Sequence, residues 1–229
     1  MPEFQTVDAT SDDARASRAA GVVLIASTLL GVAVMAHHPT TSASGLAQSF
    51  DQMQRLARLS AWVHGILIAL MLGSFYGLTE LAYQRGLRRS LVRIGLITYA
   101  TGTVAMVGAA LISGFVTTQV AGFATSTSGA DIETTGQLIK LCWLLNQAMA
   151  KLGVIAMSAG ILAWSFDLLR SGKLVRLTGA VGVLVGMASV AALMIGVLSL
   201  NVHGMMLVVV TQAIWTVMIG ILLFNAKLG

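Results

Sequence analysis

Six stretches of about 20 or more apolar residues, joined by short polar links, constrain this chain more than any other feature. A helix of that length matches the roughly 30 Å hydrocarbon core of a bilayer. Inside that core a helix satisfies its own backbone hydrogen bonds, which an open strand cannot do. The stretches fall at about residues 18–36, 59–83, 91–120, 138–169, 174–200 and 205–224. The expected fold is all-α: a polytopic membrane protein of six transmembrane helices over residues 18–229, after a disordered polar tail at 1–17 that carries Glu3, Asp8, Asp12 and Asp13.

Composition leaves no soluble alternative. A 229-residue chain with 56% hydrophobic and 10% charged residues cannot cover a water-facing surface. The net charge of +5 does not point to nucleic acid, because the Lys and Arg residues sit in links beside apolar segments, where they set orientation. The single cysteine, Cys142, excludes an internal disulfide framework and a four-cysteine zinc site. There is no phosphate-binding loop, nucleotide fingerprint or serine-hydrolase turn.

The links carry further expectations. Pro39 and the Thr/Ser/Gly run after it end the first helix, and Phe50, Met53 and Leu56, at helical spacing, predict an interfacial turn over 50–58. A Ser/Thr/Gly-rich loop is expected to hold Asp131 and Glu133. Near the arginine-rich links, Glu80 is expected to pair with Arg85 or Arg88, and Asp167 lies beside Arg170.

Basic residues give the orientation. Arg85, Arg88, Arg89 and Arg93 follow the second helix, Arg170, Lys173 and Arg176 follow the fourth, and the other links are poorer. The positive-inside rule puts both termini in the cytoplasm of a bacterial cell, with the chain multi-pass in the inner membrane. Trp62 and Trp143 then fit an outer aromatic belt and Trp164 an inner one. Val34-Met35-Ala36 fits a signal-cleavage pattern, but the region ahead of it is long and acidic rather than short and basic, so the first segment is expected to remain as a helix.

The odd helices open alike, with Arg18 and Gly21, Arg93 and Gly95, Arg176 and Gly179. The third and fifth share Leu-Val-Arg and the spacing Gly95/Gly102 and Gly179/Gly186, and the second and sixth share Val-His-Gly. These matches predict three parallel helical-hairpin repeats, in which His64 and His203 hold equivalent positions facing a shared interior.

This orientation gathers all four histidines, His37, His38, His64 and His203, at the outer face. Imidazole is costly in lipid and is the commonest metal ligand, so the cluster predicts a transition-metal site. Neighbouring Met35, Met205, Met206 and Cys142 make the donor set soft, which suits copper. A second form is haem b held between His64 and His203, with Gly65 and Gly204 giving room. His37 and His38 cannot both point to one site from a regular helix, because neighbours diverge by about 100°.

Lys151 is a second candidate, since it lies too deep in the fourth helix to reach water easily. Helical spacing sets Lys140, Gln147, Lys151 and Ser158 on one stripe with Asn146 beside it, a stripe expected to face the interior. The sixth helix adds Gln212 and Trp215, which predict a lined cavity. The site expected from sequence is thus a metal held by His64, His203 and His37 or His38, above a substrate pocket of Lys151, Asn146, Gln147, Gln212 and Trp215. Its task would be metal handling or redox chemistry on a small hydrophobic molecule such as a quinone. One rival is a non-catalytic subunit, partner-binding module or sensor, working as a homo-oligomer or with a membrane partner; another is a small-solute or proton-coupled transporter using Lys151.

Overall fold

The chain's two prolines, at positions 2 and 39, leave every apolar segment free to run as an unbroken helix. A computed structural model describes residues 9–39, 46–124 and 129–227. All regular structure among the described residues is helical. In order, the elements are α1 (Ala9–Ala36), α2 (Leu46–Arg85), α3 (Ser90–Leu111), a π-helical segment (Ile112–Val116), α4 (Thr117–Ala124), α5 (Gly129–Leu168), α6 (Lys173–Met194) and α7 (Val202–Phe224). Six helical spans are long and apolar enough to cross a membrane, α3, the π segment and α4 forming one of them.

The number of spans agrees with the sequence, but several are longer than expected. α2 and α5 each have 40 residues, about 60 Å at 1.5 Å per residue and twice a hydrocarbon core. Residues 50–58 are therefore the first turns of α2 rather than a separate interfacial turn. The loop expected to carry Asp131 and Glu133 is in part the opening of α5; residues 125–128 lie outside the described residues. These extensions pack on one another, Phe50 and Ala121 forming a small core with Met53, Ile132 and Ile139 against it. That packing rewards continued helix where polar composition alone suggested loop. The expected tail is also partly helical. α1 starts at Ala9, and the buried Ser17 hydroxyl donates to the Leu223 carbonyl at 2.8 Å; residues 1–8 lie outside the described residues.

Around the bundle each helix packs on its neighbours in the order α1, α2, α3, α5, α6, α7 and back to α1. α6 ends sooner than the sequence suggests: Gly196 takes φ +76°, and 195–201 turns the chain into α7. The Asn201 side chain caps α7 by accepting from the Gly204 N–H at 2.9 Å.

Small residues bring these helices together. A Cβ on Gly21 would lie 2.6 Å from the Gly220 carbonyl oxygen and 2.7 Å from the Phe224 nitrogen, both backbone atoms that cannot rotate away. Gly21→Ala should therefore lower stability by about 1–3 kcal/mol as α1 and α7 separate. Gly31→Ala on the same helix, with nothing within 4 Å, should not. Thermal midpoints of the two variants in mild detergent check this; equal midpoints would refute the close α1–α7 packing. The glycines shared by the odd helices do not have equivalent partners. Gly21 packs on α7, while Gly95 and Gly102 meet one side of α5 and Gly179 and Gly186 another.

At the end of the bundle where α2 meets α3 and α5 meets α6, a buried ion pair joins the turns. Arg85 Nε donates to Asp167 Oδ2 at 2.7 Å and Arg85 Nη2 to the Ser171 hydroxyl at 2.9 Å. Arg89, more than half exposed, adds Nη1 to Asp167 Oδ1 at 3.1 Å. Sequence proximity suggested other pairings: Asp167 does not take Arg170 as its partner, and Glu80 accepts from Gln84.

Candidate functional site: a histidine pair at the mouth of an internal cavity

α1, α2, α3, α5 and α7 enclose a cavity of about 250 Å³. α6 contributes no lining residue and packs outside, against α5 and α7. The walls are mainly apolar, with Met35, Met71, Met106, Met157 and Met205 among them. Below the cavity, towards the arginine end, Trp164 and Trp215 stack with centroids 6.2 Å apart in the main core.

His38 and His64 meet at the opposite end of this cavity. His64 is buried on α2, His38 follows the end of α1, and their Nε2 atoms stand 3.2 Å apart. The rings meet edge to face at 4.8 Å. Their other nitrogens fix the chemistry. His64 Nδ1 lies 2.8 Å from the Ser60 carbonyl, and His38 Nδ1 lies 2.9 Å from the Pro39 carbonyl. A carbonyl only accepts, which favours an Nδ1 that carries its hydrogen and donates; His64 Nδ1 also has the Ser60 hydroxyl at 3.3 Å. In the neutral rings both Nε2 atoms are then bare lone pairs pointed at one another. Such a pair is satisfied by a cation between or upon its nitrogens, a metal ion or a proton on one ring, or by the other tautomer of His64, whose Nε2–H donates to His38 while its Nδ1 accepts from the Ser60 hydroxyl.

Two ligands bonded at about 2.0–2.1 Å with a tetrahedral angle stand about 3.3 Å apart, close to what is found. An Nδ1–H held by a backbone carbonyl is also the usual support for a metal-bound imidazole. Burial holds the His38 imidazole below its ordinary pKa, against the bond to the Pro39 carbonyl, which pulls it upwards. The neutral ring, the form that can ligate a metal, is favoured.

The local backbone is shaped around this pair. α3 passes into the π-helical segment level with His64, and Gly114 lies directly behind the ring: a Cβ there would stand 2.5 Å from both Cβ and Cγ of His64. The extra residue in a π turn displaces the helix surface locally, and such turns often occur at functional sites. Nothing in the sequence pattern announced it; Ile-Ser-Gly-Phe-Val reads as ordinary helix.

The other expected residues divide. His37 is exposed, its ring bonded to its own helix at the Ala33 carbonyl, as the divergence of neighbouring residues requires. His203 is exposed on the first turn of α7 and does not line the cavity, so the structure does not set it opposite His64. Haem between those two has no geometric basis here. Nor can His38 and His64 be trans axial ligands, whose nitrogens would stand about 4 Å apart. Cys142 is buried but does not line the cavity. No three His, Cys, Asp or Glu side chains converge among the described residues; a metal at the pair would draw further donors from Met35 or Met205 in the same cavity or from outside.

Asn146 and Gln212 line the cavity. Asn146 Nδ2 donates to the Ala109 carbonyl at 2.8 Å, and Gln212 Nε2 to the Ser158 hydroxyl at 3.2 Å. Gln147 is turned to the Leu200 carbonyl at 3.1 Å, and Trp215 is wholly buried under the cavity without lining it. Lys151 is exposed on the outside of the bundle, which corrects the inward-facing stripe. Ser158, on that stripe, packs against Gly186 of α6. Lys151 lies seven residues before Ser158 on α5, level with the last turn of α6, and is exposed there. Sequence reasoning missed Tyr99, a buried phenol that lines the cavity from α3.

No protein-family model, curated protein or solved structure matches the chain.

Proposed function

We propose that this protein is a multi-pass inner-membrane protein that takes a transition-metal ion, copper(I) by its chemistry, on His38 and His64 at the outer mouth of a chamber for a small hydrophobic molecule. The observation that carries the reading is the pair of Nε2 atoms 3.2 Å apart while the two Nδ1 atoms lie 2.8 and 2.9 Å from backbone carbonyls. The donors within reach are neutral imidazoles and thioethers. Soft neutral donors suit copper(I), and a single charge costs far less to desolvate in an apolar chamber than the double charge of zinc. Metal handling is the simplest task for such a site; redox chemistry on the chamber's occupant is the extension of it.

The transporter reading built on Lys151 loses its support, because that residue lies outside the cavity. A parallel-repeat origin keeps some support from the three sequential hairpins that follow one another round the bundle, with the chemistry held by the first of them. The inward arginine links support the orientation with both termini cytoplasmic.

A titration with copper(I) under anaerobic conditions, against a competing chromogenic chelator, tests the proposal. Wild-type protein should hold one copper per chain. The His38→Ala/His64→Ala variant should bind about 100-fold more weakly or not at all, and a His37→Ala/His203→Ala variant should match wild type. Equal affinity in the first variant, with an unchanged size-exclusion profile, or no copper in wild type, would overturn it.

A further inference from the structure

The far end of the chamber carries two polar groups with nothing to bond. Tyr99 is 4% exposed and Gln212 8% exposed, and both line the cavity. The Tyr99 hydroxyl has no hydrogen-bond partner among the described residues. Gln212 commits its Nε2 to the Ser158 hydroxyl and leaves its carbonyl oxygen without one. Neither atom is among the fully enclosed unpartnered ones, which are Trp164 Nε1, Trp215 Nε1 and Ser165 Oγ. Both therefore keep accessible surface, and the cavity is where it lies.

The two groups share one level of the bundle. Tyr99 packs at Gly160 of α5, whose Cβ position is 2.8 Å from the Tyr99 Cβ, and Gln212 bonds Ser158 two residues away. Two residues of helix are about 3 Å of height. Gly114, behind the histidine pair, is 15 residues from Tyr99, about 20 Å along α3. The chamber thus has the histidine pair at one end and a separate polar pair at the other.

Buried polar groups left without partners are costly, so such a pair selects a ligand that satisfies both. Gln212 Oε1 can only accept. Tyr99 O–H can donate. A single hydroxyl does both jobs, donating to Gln212 and accepting from Tyr99, while a carbonyl or an ether satisfies Tyr99 alone. The rest of the wall at this level, Met106, Met157 and Val208, is apolar and deformable.

We infer that the inner end of the chamber binds the hydroxyl group of a small lipid-phase phenol or quinol between Tyr99 and Gln212, in preference to the corresponding quinone or ether. The inference deepens the reading of the cavity as a chamber for a small hydrophobic molecule and does not depend on the metal.

The test is calorimetric binding of 4-tert-butylphenol and of 4-tert-butylanisole, its O-methyl ether, to the full chain in lipid nanodiscs. Wild type should bind the phenol at least about tenfold more tightly than the ether. Gln212→Leu should reduce that preference to about threefold or less while leaving ether affinity unchanged, and Tyr99→Phe should weaken phenol and ether by a similar factor, since both oxygens accept from the Tyr99 hydroxyl. Both variants should keep the wild-type thermal midpoint within a few degrees, which separates lost recognition from lost fold. The His38→Ala/His64→Ala variant should keep the preference in full. Equal wild-type affinity for phenol and ether, a preference that survives Gln212→Leu, or ligand affinities untouched by Tyr99→Phe, would overturn the inference. Copper binding without phenol preference would sink this inference alone. Phenol preference without copper binding would sink only the metal reading.

Discussion

Asp167→Ala is expected to cost about 3–5 kcal/mol, the usual penalty for stranding one partner of a buried ion pair. The carboxylate is 5% exposed and its main partner, Arg85, 8% exposed. Removing the acid leaves a guanidinium enclosed with only the Ser171 hydroxyl and its remaining contacts to hold it. Arg89 adds little to the estimate, since at 55% exposure its attraction is screened by solvent. The distinguishing result is the double variant Arg85→Met/Asp167→Leu. A buried pair repays its desolvation poorly, so an apolar replacement of similar volume should recover half or more of the loss. Unfolding of the three proteins in a denaturing-detergent series measures both. A double variant as unstable as Asp167→Ala would mean that the pair matters through position, by tying the α2–α3 turn to the α5–α6 turn, and not through the stranded charge.

That pair also marks where reading the sequence stops. Six apolar spans were legible because each is a run of apolar residues long enough to cross a bilayer, and so were the arginine-rich links beside them. Which acid meets which arginine was not, because Asp167 and Arg85 are 82 residues apart, and only the packing of α3 against both α2 and α5 brings them together. The same distinction explains the longer helices. Phe50 and Met53 showed helical spacing, but their polar neighbours concealed that Ile132 and Ile139 would cover them.

The site was half legible for related reasons. Four histidines at one end of the bundle could be read from position along the spans. Their rotation about the helix axes could not. His38 and not His37 turns inward, a choice the sequence left open. His203 sits at a helix start where one turn of difference decides between cavity and surface. Lys151 was placed on a stripe of α5, yet a stripe faces the interior only where a neighbouring helix covers it, and level with the last turn of α6 Lys151 is exposed. Tyr99 and Gly114 lie in segments that read as plain apolar helix, since one phenol and one glycine do not disturb a hydropathy pattern.

Gly114→Ala should weaken copper binding by about 10- to 100-fold, an effect of the size seen when groups that orient a metal ligand are removed, on top of the roughly 1–3 kcal/mol of stability that such overpacking costs. The added Cβ would stand 2.5 Å from His64 Cβ and Cγ and 2.9 Å from Nδ1. Something must shift. The π-helical segment must move away from α2, because rotation about χ1 leaves His64 Cβ in place, and the imidazole can turn as well to clear Cγ and Nδ1. Turning breaks the bond from Nδ1 to the Ser60 carbonyl and swings Nε2 away from His38. Either movement spoils a separation that needs to be held near 3.2 Å for two nitrogens to share one ion. Gly65→Ala is the control: it follows His64 directly, and the nearest side-chain atom to its Cβ position is the Phe115 ring edge at 4.0 Å. It should bind copper as wild type does. If Gly114→Ala binds copper normally while His38→Ala/His64→Ala does not, the pair tolerates displacement and the π turn serves packing alone. If both glycine variants lose copper equally, the site depends on the general fit of α2 against α3, and the tie between Gly114 and the His64 ring is not what holds it.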